Sequence, residues 1–328
     1  MVKVFPFQGI IYNKEKIKNL AKVMAPPYDI IDKELQDQLY NLHNFNVIRL
    51  ILGKDFPGDS EYNNRYVRAA AFLDGWLRHQ ILTKDGKPAL YIYEQKFSIK
   101  GKSFSRLGFI GVLRIEELGR GKVFPHEETY PRAKLDRLQL LRATNANFEC
   151  IFSLYSDEKR KTIKVLKPFT KRKPIIEVKD QNKTIHRLWR IDRKSAISKI
   201  ISEMKDKAIF IADGHHRYEA ALRYRNELKE RNTKFSEDEA YNHVMMYFTP
   251  LEEPGLVILP FHRLVKNLNY FDPENFIQEL KQFFEVIPYP AKVRTSQKVR
   301  KKLLKDLAKA GLNQHAFGIY LGGNQYFL

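Results

Sequence analysis

The residues with the clearest chemical potential stand together in the run Asp213-Gly214-His215-His216-Arg217. The Arg217 guanidinium is a planar set of donors that suits phosphate oxygens. The two histidines can donate hydrogen bonds to charge that develops during a reaction, and the Asp213 carboxylate can bind Mg²⁺ or orient a histidine. This combination indicates phosphate chemistry. The alternative is a simple turn that carries two surface histidines.

The elements around this run must hold it at the end of a strand. The apolar residues from Ala208 to Ala212 predict a buried strand, Gly214 predicts a tight turn, and a helix is expected from about Arg217 to Arg231. The start of such a helix offers unpaired backbone N–H groups and the positive end of the helix dipole. Both features favour phosphate binding at the turn.

Motifs of the common enzyme classes are incomplete elsewhere in the chain. Gly101-Lys102-Ser103 resembles the end of a P-loop, but the first glycine of that motif is missing. Gly119-Arg120-Gly121 lacks the third glycine of a dinucleotide fingerprint, and a zinc-protease motif that starts at His126 has Tyr130 in place of its second histidine. The single cysteine, Cys150, excludes an internal disulfide and a multi-thiolate metal site.

The run from Asp213 to Tyr218 resembles the signature of the ParB/sulfiredoxin-like superfamily. More closely, it is similar to the DUF1015 family of prokaryotic domains of unknown function, which is related to free serine kinase. Four further segments match that family: Ala25–Ile31, Asn46–Leu50, Pro125–Leu141 and Asn145–Tyr155. The resemblance covers most of the chain up to about residue 265. Its most specific part is the combination of Pro-His-Glu with Asp-Gly-His-His-Arg.

The resemblance implies a nucleotide site at the turn. Carried over residue by residue, it implies that Asp213, Gly214, His215, His216 and Arg217 bind the nucleotide phosphates. It also implies ATP or ADP as the nucleotide, with Mg²⁺ held by Asp213. Sulfiredoxins have a reactive cysteine directly after the motif glycine, where this chain has His215, and this departure argues against reduction of a cysteine sulfinic acid.

The relation to free serine kinase implies catalytic residues in a second segment. Glu127, within Pro-His-Glu, would take the proton from a serine hydroxyl, with His126 as its neighbour and His216 stabilising the transferred group. Residues in other matching segments are expected to bind the substrate: Tyr28, Asp29 and Arg49. The expected function is therefore a kinase that phosphorylates a small-molecule hydroxyl, such as that of free L-serine.

Charge supplies the competing interpretation. The chain has 58 Lys and Arg against 38 Asp and Glu, a net charge of +20, which favours anionic partners of several kinds. Two basic runs, Lys159–Lys173 and Lys292–Lys309, can follow a nucleic-acid backbone or form the solvated face of a packed helix. The second run contains an apolar stripe of Val299, Leu303, Leu304 and Leu307. A nucleotide-binding regulator or a nucleic-acid-binding protein, both without catalysis, are the alternatives to a kinase.

Strand and helix patterns alternate without strict βαβ order, which predicts an α+β fold of mixed sheets and flanking helices around a ParB/sulfiredoxin-like nucleotide-binding core. The domains are expected at 1–85 (extended segment and helix), 86–265 (core) and 266–328 (α+β segment). Hairpins are predicted over 90–115, 175–191 and 317–328, and helices over 134–143, 195–204 and 273–284. Strands are also predicted over 47–52, 150–155 and 256–261, and helices over 240–248 and from Ser60 to Leu77.

Hydropathy gives a last expectation about location. No apolar run approaches the roughly 20 residues that span a bilayer, and the N-terminus lacks the apolar core of a signal peptide. The sequence therefore predicts a soluble, cytoplasmic protein without a membrane partner.

Overall fold

The computed structural model describes residues 1–232, 234–259, 262–323 and 325–328. Contacts divide the chain into two compact units, Met1–Ile258 and Leu259–Leu328. The three domains expected from the sequence stay a prediction. Residues 1–85 lie in the first unit together with residues 86–258.

The first unit contains both strands and helices, which alternate mainly after β6. Its elements are β1 (Val4–Phe5), β2 (Ile10–Tyr12), α1 (Lys33–Leu42), α2 (Ile48–Ile51), α3 (Arg65–Arg78), β3 (Leu82–Lys84), β4 (Leu90–Ile99), β5 (Lys102–Arg114), β6 (Val123–Phe124), α4 (Pro131–Thr144), β7 (Ile151–Tyr155), α5 (Lys161–Thr170), β8 (Ile176–Lys179), β9 (Ile185–Ile191), α6 (Lys194–Met204), β10 (Ile209–Asp213), α7 (His215–Arg231) and β11 (His243–Pro250). Short 3₁₀ turns lie at Leu20–Lys22, Tyr28–Ile30 and Ala240–Asn242.

The largest sheet has nine strands within the described residues. Its order is β6-β10-β7-β11-β5-β4-β9-β8, and β1 also pairs with β5. β6 runs parallel to β10, and β7 runs parallel to β11, while the other neighbours are antiparallel. The chain is therefore a mixed α/β protein with a large mixed sheet and flanking helices, as the sequence predicted at this coarse level.

The β4–β5 hairpin shows how local sequence directs this sheet. Ile99 pairs with Lys102, so that Lys100 and Gly101 form a two-residue turn in which both residues have positive φ. This turn type matches the right-handed twist of paired strands. The paired residues Ile92 on β4 and Phe109 on β5 are fully buried and belong to the main core, together with Leu166 of α5 and Ile200 of α6.

Two predicted elements are wrong, and burial explains both. Residues 47–52, predicted as a strand, form helix α2 instead, because the Asn46 side chain accepts a hydrogen bond from the Ile48 N–H at 2.9 Å and fixes the start of a helical turn. Residues 240–248, predicted as a helix, form a 3₁₀ turn and then β11. The short apolar run Val244–Phe248 has no periodicity that separates a buried helix from a buried strand. In the structure this run lies in β11, between β5 and β7.

Smaller differences concern element ends. Ser60 does not cap a helix: α3 begins at Arg65, and the Asn64 side chain accepts from the N–H groups of Tyr66 and Val67. The strand predicted over 256–261 is absent from residues 256–259, and residues 260 and 261 lie outside the described residues. The remaining predicted helices and hairpins of the first unit are present, with ends shifted by a few residues.

The second unit is a small α+β arrangement. Its elements are α8 (Pro273–Leu280), β12 (Pro288–Pro290), α9 (Ser296–Ala310), β13 (Ile319–Tyr320) and β14 (Gln325–Phe327). The strands form a sheet in the order β12-β14-β13. Leu303 of α9 is buried against Tyr289 and Tyr326, so the apolar stripe of the second basic run is confirmed at that residue. Leu304 is exposed, contrary to the prediction.

None of the helices in the described ranges is both long enough and apolar enough to cross a membrane.

Candidate phosphate-binding site

The turn between β10 and α7 has the local geometry that phosphate binding requires. Gly214 has a φ of +93°, in the left-handed region that glycine adopts without strain. No side chain caps α7, so the first N–H groups of the helix remain available to a ligand. A Cβ at position 214 would lie 2.9 Å from the Arg217 guanidinium, and glycine therefore lets Arg217 fold back against the turn.

Pairing of β6 with β10 brings the Pro-His-Glu segment, residues 125–127, to the turn between β10 and α7. These strands are parallel, with Val123 opposite Ile209 and Phe124 opposite Phe210. Because parallel strands end at the same edge of a sheet, the loop after β6 emerges beside the β10–α7 turn. The loop carries Pro-His-Glu at positions 125–127, which is thus brought next to residues 213–217.

Both histidines of the turn accept hydrogen bonds from this loop. The His126 N–H donates to Nε2 of His215 at 3.3 Å, and the Tyr130 N–H donates to Nε2 of His216 at 3.0 Å. The Nδ1 of His126 lies 2.7 Å from the carbonyl oxygen of Ile211, which fixes the orientation of that ring as well. In its neutral form each turn histidine therefore carries its proton on Nδ1.

Glu127 lies between two imidazoles at an open surface. One carboxylate oxygen is 3.4 Å from Nδ1 of His215, the other is 3.8 Å from Nε2 of His126, and the side chain is 62% exposed. Burial of His215 lowers its pKa, and the neighbouring His126 acts in the same direction, although the Glu127 charge opposes them. His215 is therefore neutral near pH 7 and presents an N–H to Glu127. A carboxylate held in this way is suited to act as a base.

Arg217 closes the other side of the turn. Its guanidinium donates to the carbonyl oxygen of Cys150 and to the carboxylate of Asp213. Its Nε is buried without an acceptor in the described part of the chain. Burial also raises the pKa of the Cys150 thiol to about 12, so this cysteine is a thiol rather than a reactive thiolate.

Sequence reasoning missed two charged residues behind Arg217. Glu149 accepts a hydrogen bond from the Tyr28 N–H at 3.2 Å and lies 3.6 Å from the guanidinium of Arg137. Burial raises the pKa of Glu149, and the positive charges of Arg217 and Arg137 oppose that shift. The sequence did contain one signal for a buried charge. Arg137 stands directly before Leu138 in the predicted helix, and both side chains are buried in α4.

The structure brings two of the three predicted substrate residues to this cluster. The Arg137 guanidinium lies 3.8 Å from the ring centre of Tyr28. The negative charge of Asp29 acts on the pKa of both Tyr28 and Glu149, which places it in the same electrostatic environment. Arg49 is not brought to the turn: its recorded contacts are with the Tyr40 ring, at 4.2 Å, and the Tyr40 carbonyl oxygen, at 3.1 Å.

A divalent ion at this site would depend on the nucleotide for most of its ligands. No group of three or more His, Cys, Asp or Glu side chains arranged to hold a metal occurs in the portion of the chain that the structure describes. Asp213 supplies a single carboxylate that is 51% exposed. Mg²⁺ is commonly bound by one or two carboxylates together with substrate phosphates and water, so this donor set fits a nucleotide-bound Mg²⁺.

Comparison with known proteins identifies the family. The sequence profile of DUF1015, described as a protein of unknown function, matches residues 4–328. The chain belongs to the DUF1015 family. No curated protein and no solved structure matches it. Residues 125–127 and 213–217 both lie within the matched range, so the candidate site is part of this DUF1015 domain.

Proposed function

We propose that this DUF1015 protein is a nucleotide-dependent kinase that phosphorylates a small-molecule hydroxyl, with free L-serine as the first candidate. The observation that carries the proposal is the position of the Glu127 carboxylate, 3.4 Å from Nδ1 of His215 at the uncapped start of α7. A base and an anion-binding helix start thus lie side by side, although they are far apart in the sequence. Phosphoryl transfer needs this kind of positioning and charge stabilisation more than it needs covalent chemistry.

Each residue of the site has a role in this proposal. The free N–H groups at the start of α7 and the Arg217 guanidinium bind the phosphates of ATP or ADP. Asp213 holds the nucleotide-bound Mg²⁺, which when present neutralises charge on the phosphate oxygens. Glu127 takes the proton from the acceptor hydroxyl, and His126 orients it. The Nδ1–H of His215 or His216 donates to the transferred group.

Two further considerations support the kinase. The combination of Pro-His-Glu and Asp-Gly-His-His-Arg resembles that of free serine kinase, and a ParB/sulfiredoxin-like core would explain why both segments meet at one phosphate-binding turn. The Lys159–Lys173 run is weaker support for nucleic-acid binding than its sequence indicated. Within it, Arg160 is paired with Glu253 and Lys161 with Glu203. Leu166 of α5 is buried in the main core, which fits the alternative that this run forms the solvated face of a packed helix.

The test is phosphoserine formation from free L-serine with Mg²⁺ and either ATP or ADP as the donor. Glu127→Gln removes the base while keeping the shape of the side chain, and it should lower turnover by about 10²- to 10⁴-fold while sparing nucleotide binding. Glu128→Gln is the matched control, because Glu128 is the next residue of the same exposed loop. That variant should keep wild-type turnover.

Three results would separate the candidate functions. Product that is lost only in the Glu127 variant supports the reaction and the base together. Full activity in Glu127→Gln would show that the base is assigned wrongly. Nucleotide binding without product from any hydroxyl acceptor would instead favour a regulatory protein that uses the same turn.

A further inference from the structure

The face of the large sheet that carries Asp213 continues away from the turn as a row of rings. Phe152 is the register partner of Asp213, and its ring centre lies 5.5 Å from that of Tyr247. Tyr247 meets Tyr93 edge to face at 5.2 Å, and Tyr93 stacks on His186 at 6.0 Å. We call these four rings the aromatic row. It leads from β10 and its neighbour β7 across the sheet to β9.

A glycine makes the row continuous. Gly108 lies on β5, which is between β11, the strand of Tyr247, and β4, the strand of Tyr93. A Cβ at Gly108 would lie 2.6 Å from the Tyr247 ring, closer than carbon atoms can approach. Glycine at this position therefore permits the contact between the two tyrosines.

Arg106 lies over this row without a carboxylate partner among the described residues. Its guanidinium carbon is 4.7 Å from the Phe152 ring centre and 5.9 Å from that of Phe97. Its guanidinium donates to the side-chain oxygen of Gln95 and also interacts with the Tyr247 hydroxyl, whereas its Nε is buried without an acceptor in the described structure.

This lack of an acidic partner sets Arg106 apart from other partly buried arginines of the first unit. Those arginines have carboxylates within ion-pair distance: Arg65 with Asp136, Arg137 with Glu149, Arg160 with Glu253, and Arg217 with Asp213. Arg49 also lacks a recorded carboxylate, but it lies on Tyr40, away from the aromatic row. A half-buried guanidinium that has no carboxylate partner is suited to bind an anion from outside the chain.

The position of Arg106 relative to the turn limits which anion that is. The Phe152 ring contacts the Arg106 guanidinium, and Phe152 is the register partner of Asp213. Paired residues of neighbouring strands point to the same face and lie about 5 Å apart. A ligand bound to Arg106 therefore lies within one small molecule's length of the proposed Mg²⁺ ligand.

We propose that Arg106 binds the carboxylate of the phosphoryl acceptor, which makes the substrate class small hydroxy acids and hydroxyl-bearing amino acids. The assignment rests on the proposed function for the location of phosphoryl transfer. Arg217 and the α7 N–H groups already serve the nucleotide phosphates, and the Arg106 fork matches the planar, two-oxygen geometry of a carboxylate. The aromatic row beneath it excludes water and strengthens that ion pair.

The experiment measures binding separately from turnover. Isothermal titration compares the wild-type chain with Arg106→Met, which keeps the length of the side chain on Phe152, and with Arg106→Lys, which keeps only the charge. The probes are L-serine, L-homoserine and D-glycerate, their counterparts without a carboxylate (serinol and glycerol), and ATP and ADP with Mg²⁺. The matched control is Arg190→Met. Arg190 lies on β9 of the same sheet, and its guanidinium is paired with the Asp85 carboxylate.

Arg106→Met should weaken the best carboxylate probe by about 10- to 100-fold and Arg106→Lys by less, while nucleotide affinity and the Arg190 variant stay at the wild-type level. Serinol and glycerol should not distinguish the variants. The proposal is overturned if no carboxylate probe binds the wild-type chain, if Arg106→Met binds it normally, or if nucleotide binding weakens instead. If Arg106→Met does not fold, as judged by circular dichroism, a wild-type affinity in Arg106→Lys overturns it.

The two proposals can fail independently. Carboxylate binding that depends on Arg106 without any phosphoryl transfer would end the kinase proposal and keep Arg106 as a carboxylate-binding residue. Phosphorylation of serinol and L-serine with equal KM would keep the kinase and remove the carboxylate subsite.

Discussion

The two sides of the β10–α7 turn differ in exposure and in the way their charges are paired. On the open side, His126 and Glu127 are 58% and 62% exposed, and the loop is held by hydrogen bonds to two imidazoles. On the closed side, the side chains of Arg137 and Arg217 are only 6% and 12% exposed, and both act on the buried Glu149. The carboxylate and imidazoles of the open side are thus within reach of solvent and ligands, whereas the charged groups of the closed side are packed behind the turn.

We expect the largest effect, a loss of stability, when an ion pair on the closed side is removed. Arg137→Met removes one partner of a buried ion pair and leaves Glu149 without that neighbour, which should lower the free energy of unfolding by about 3–5 kcal/mol. Urea unfolding measures it. Arg142→Met, on the same helix but in a more exposed pair with Glu227, should cost less than about 1 kcal/mol. Equal stability of the two variants would mean that the closed side has no special structural role.

A smaller effect separates backbone strain from crowding at the turn itself. Gly214→Ala should cost about 1–2 kcal/mol for its positive φ, and its Cβ would also meet the Arg217 guanidinium, so nucleotide affinity should fall. Gly119→Ala is the matched control, since Gly119 has a similar φ of +79° and nothing near its Cβ position. The Gly119 variant should lose stability but not nucleotide affinity. A loss of affinity in both would exclude the contact with Arg217 as its cause.

The smallest effect concerns the pH dependence of the open side. The pKa of His215 is lowered from its ordinary value of 6.5, so the unfolded chain takes up this proton first as the pH falls. The free energy of unfolding should therefore decrease as the pH falls from about 6.5 toward the folded-state pKa of His215. His215→Gln, which keeps an acceptor for the His126 N–H, should reduce this decrease.

Urea unfolding at pH 7.5 and pH 5.5 measures that difference. The pKa of His243 is also lowered by burial, so the wild-type pH dependence contains both histidines. Only the change between wild type and His215→Gln reports on the turn. An identical pH dependence in the two proteins would contradict this prediction, because it would mean that folding does not change the pKa of His215.

Much of the site was predictable because its signals are local. The Gly214 turn after an apolar strand and the Lys100-Gly101 turn between alternating strands are each determined by a few neighbouring residues. The segment His243–Pro250 was not, since a central strand buried by neighbours on both edges has no alternating pattern to show. The closed side also depends on tertiary contacts: Arg137 and Glu149 become partners only because helix α4 packs beside the turn.

The order of strands in the large sheet has a consequence for the synthesis of the chain. β6 has its recorded partner in β10, and β7 lies between β10 and β11, so both earlier strands wait for later ones. The hairpin of β4 and β5, in contrast, can close as soon as its own residues are made. On the ribosome, the turn between β10 and α7 therefore forms late, after α7 has left the exit tunnel. On the proposed function, nucleotide would stabilise only those chains in which this turn has already formed.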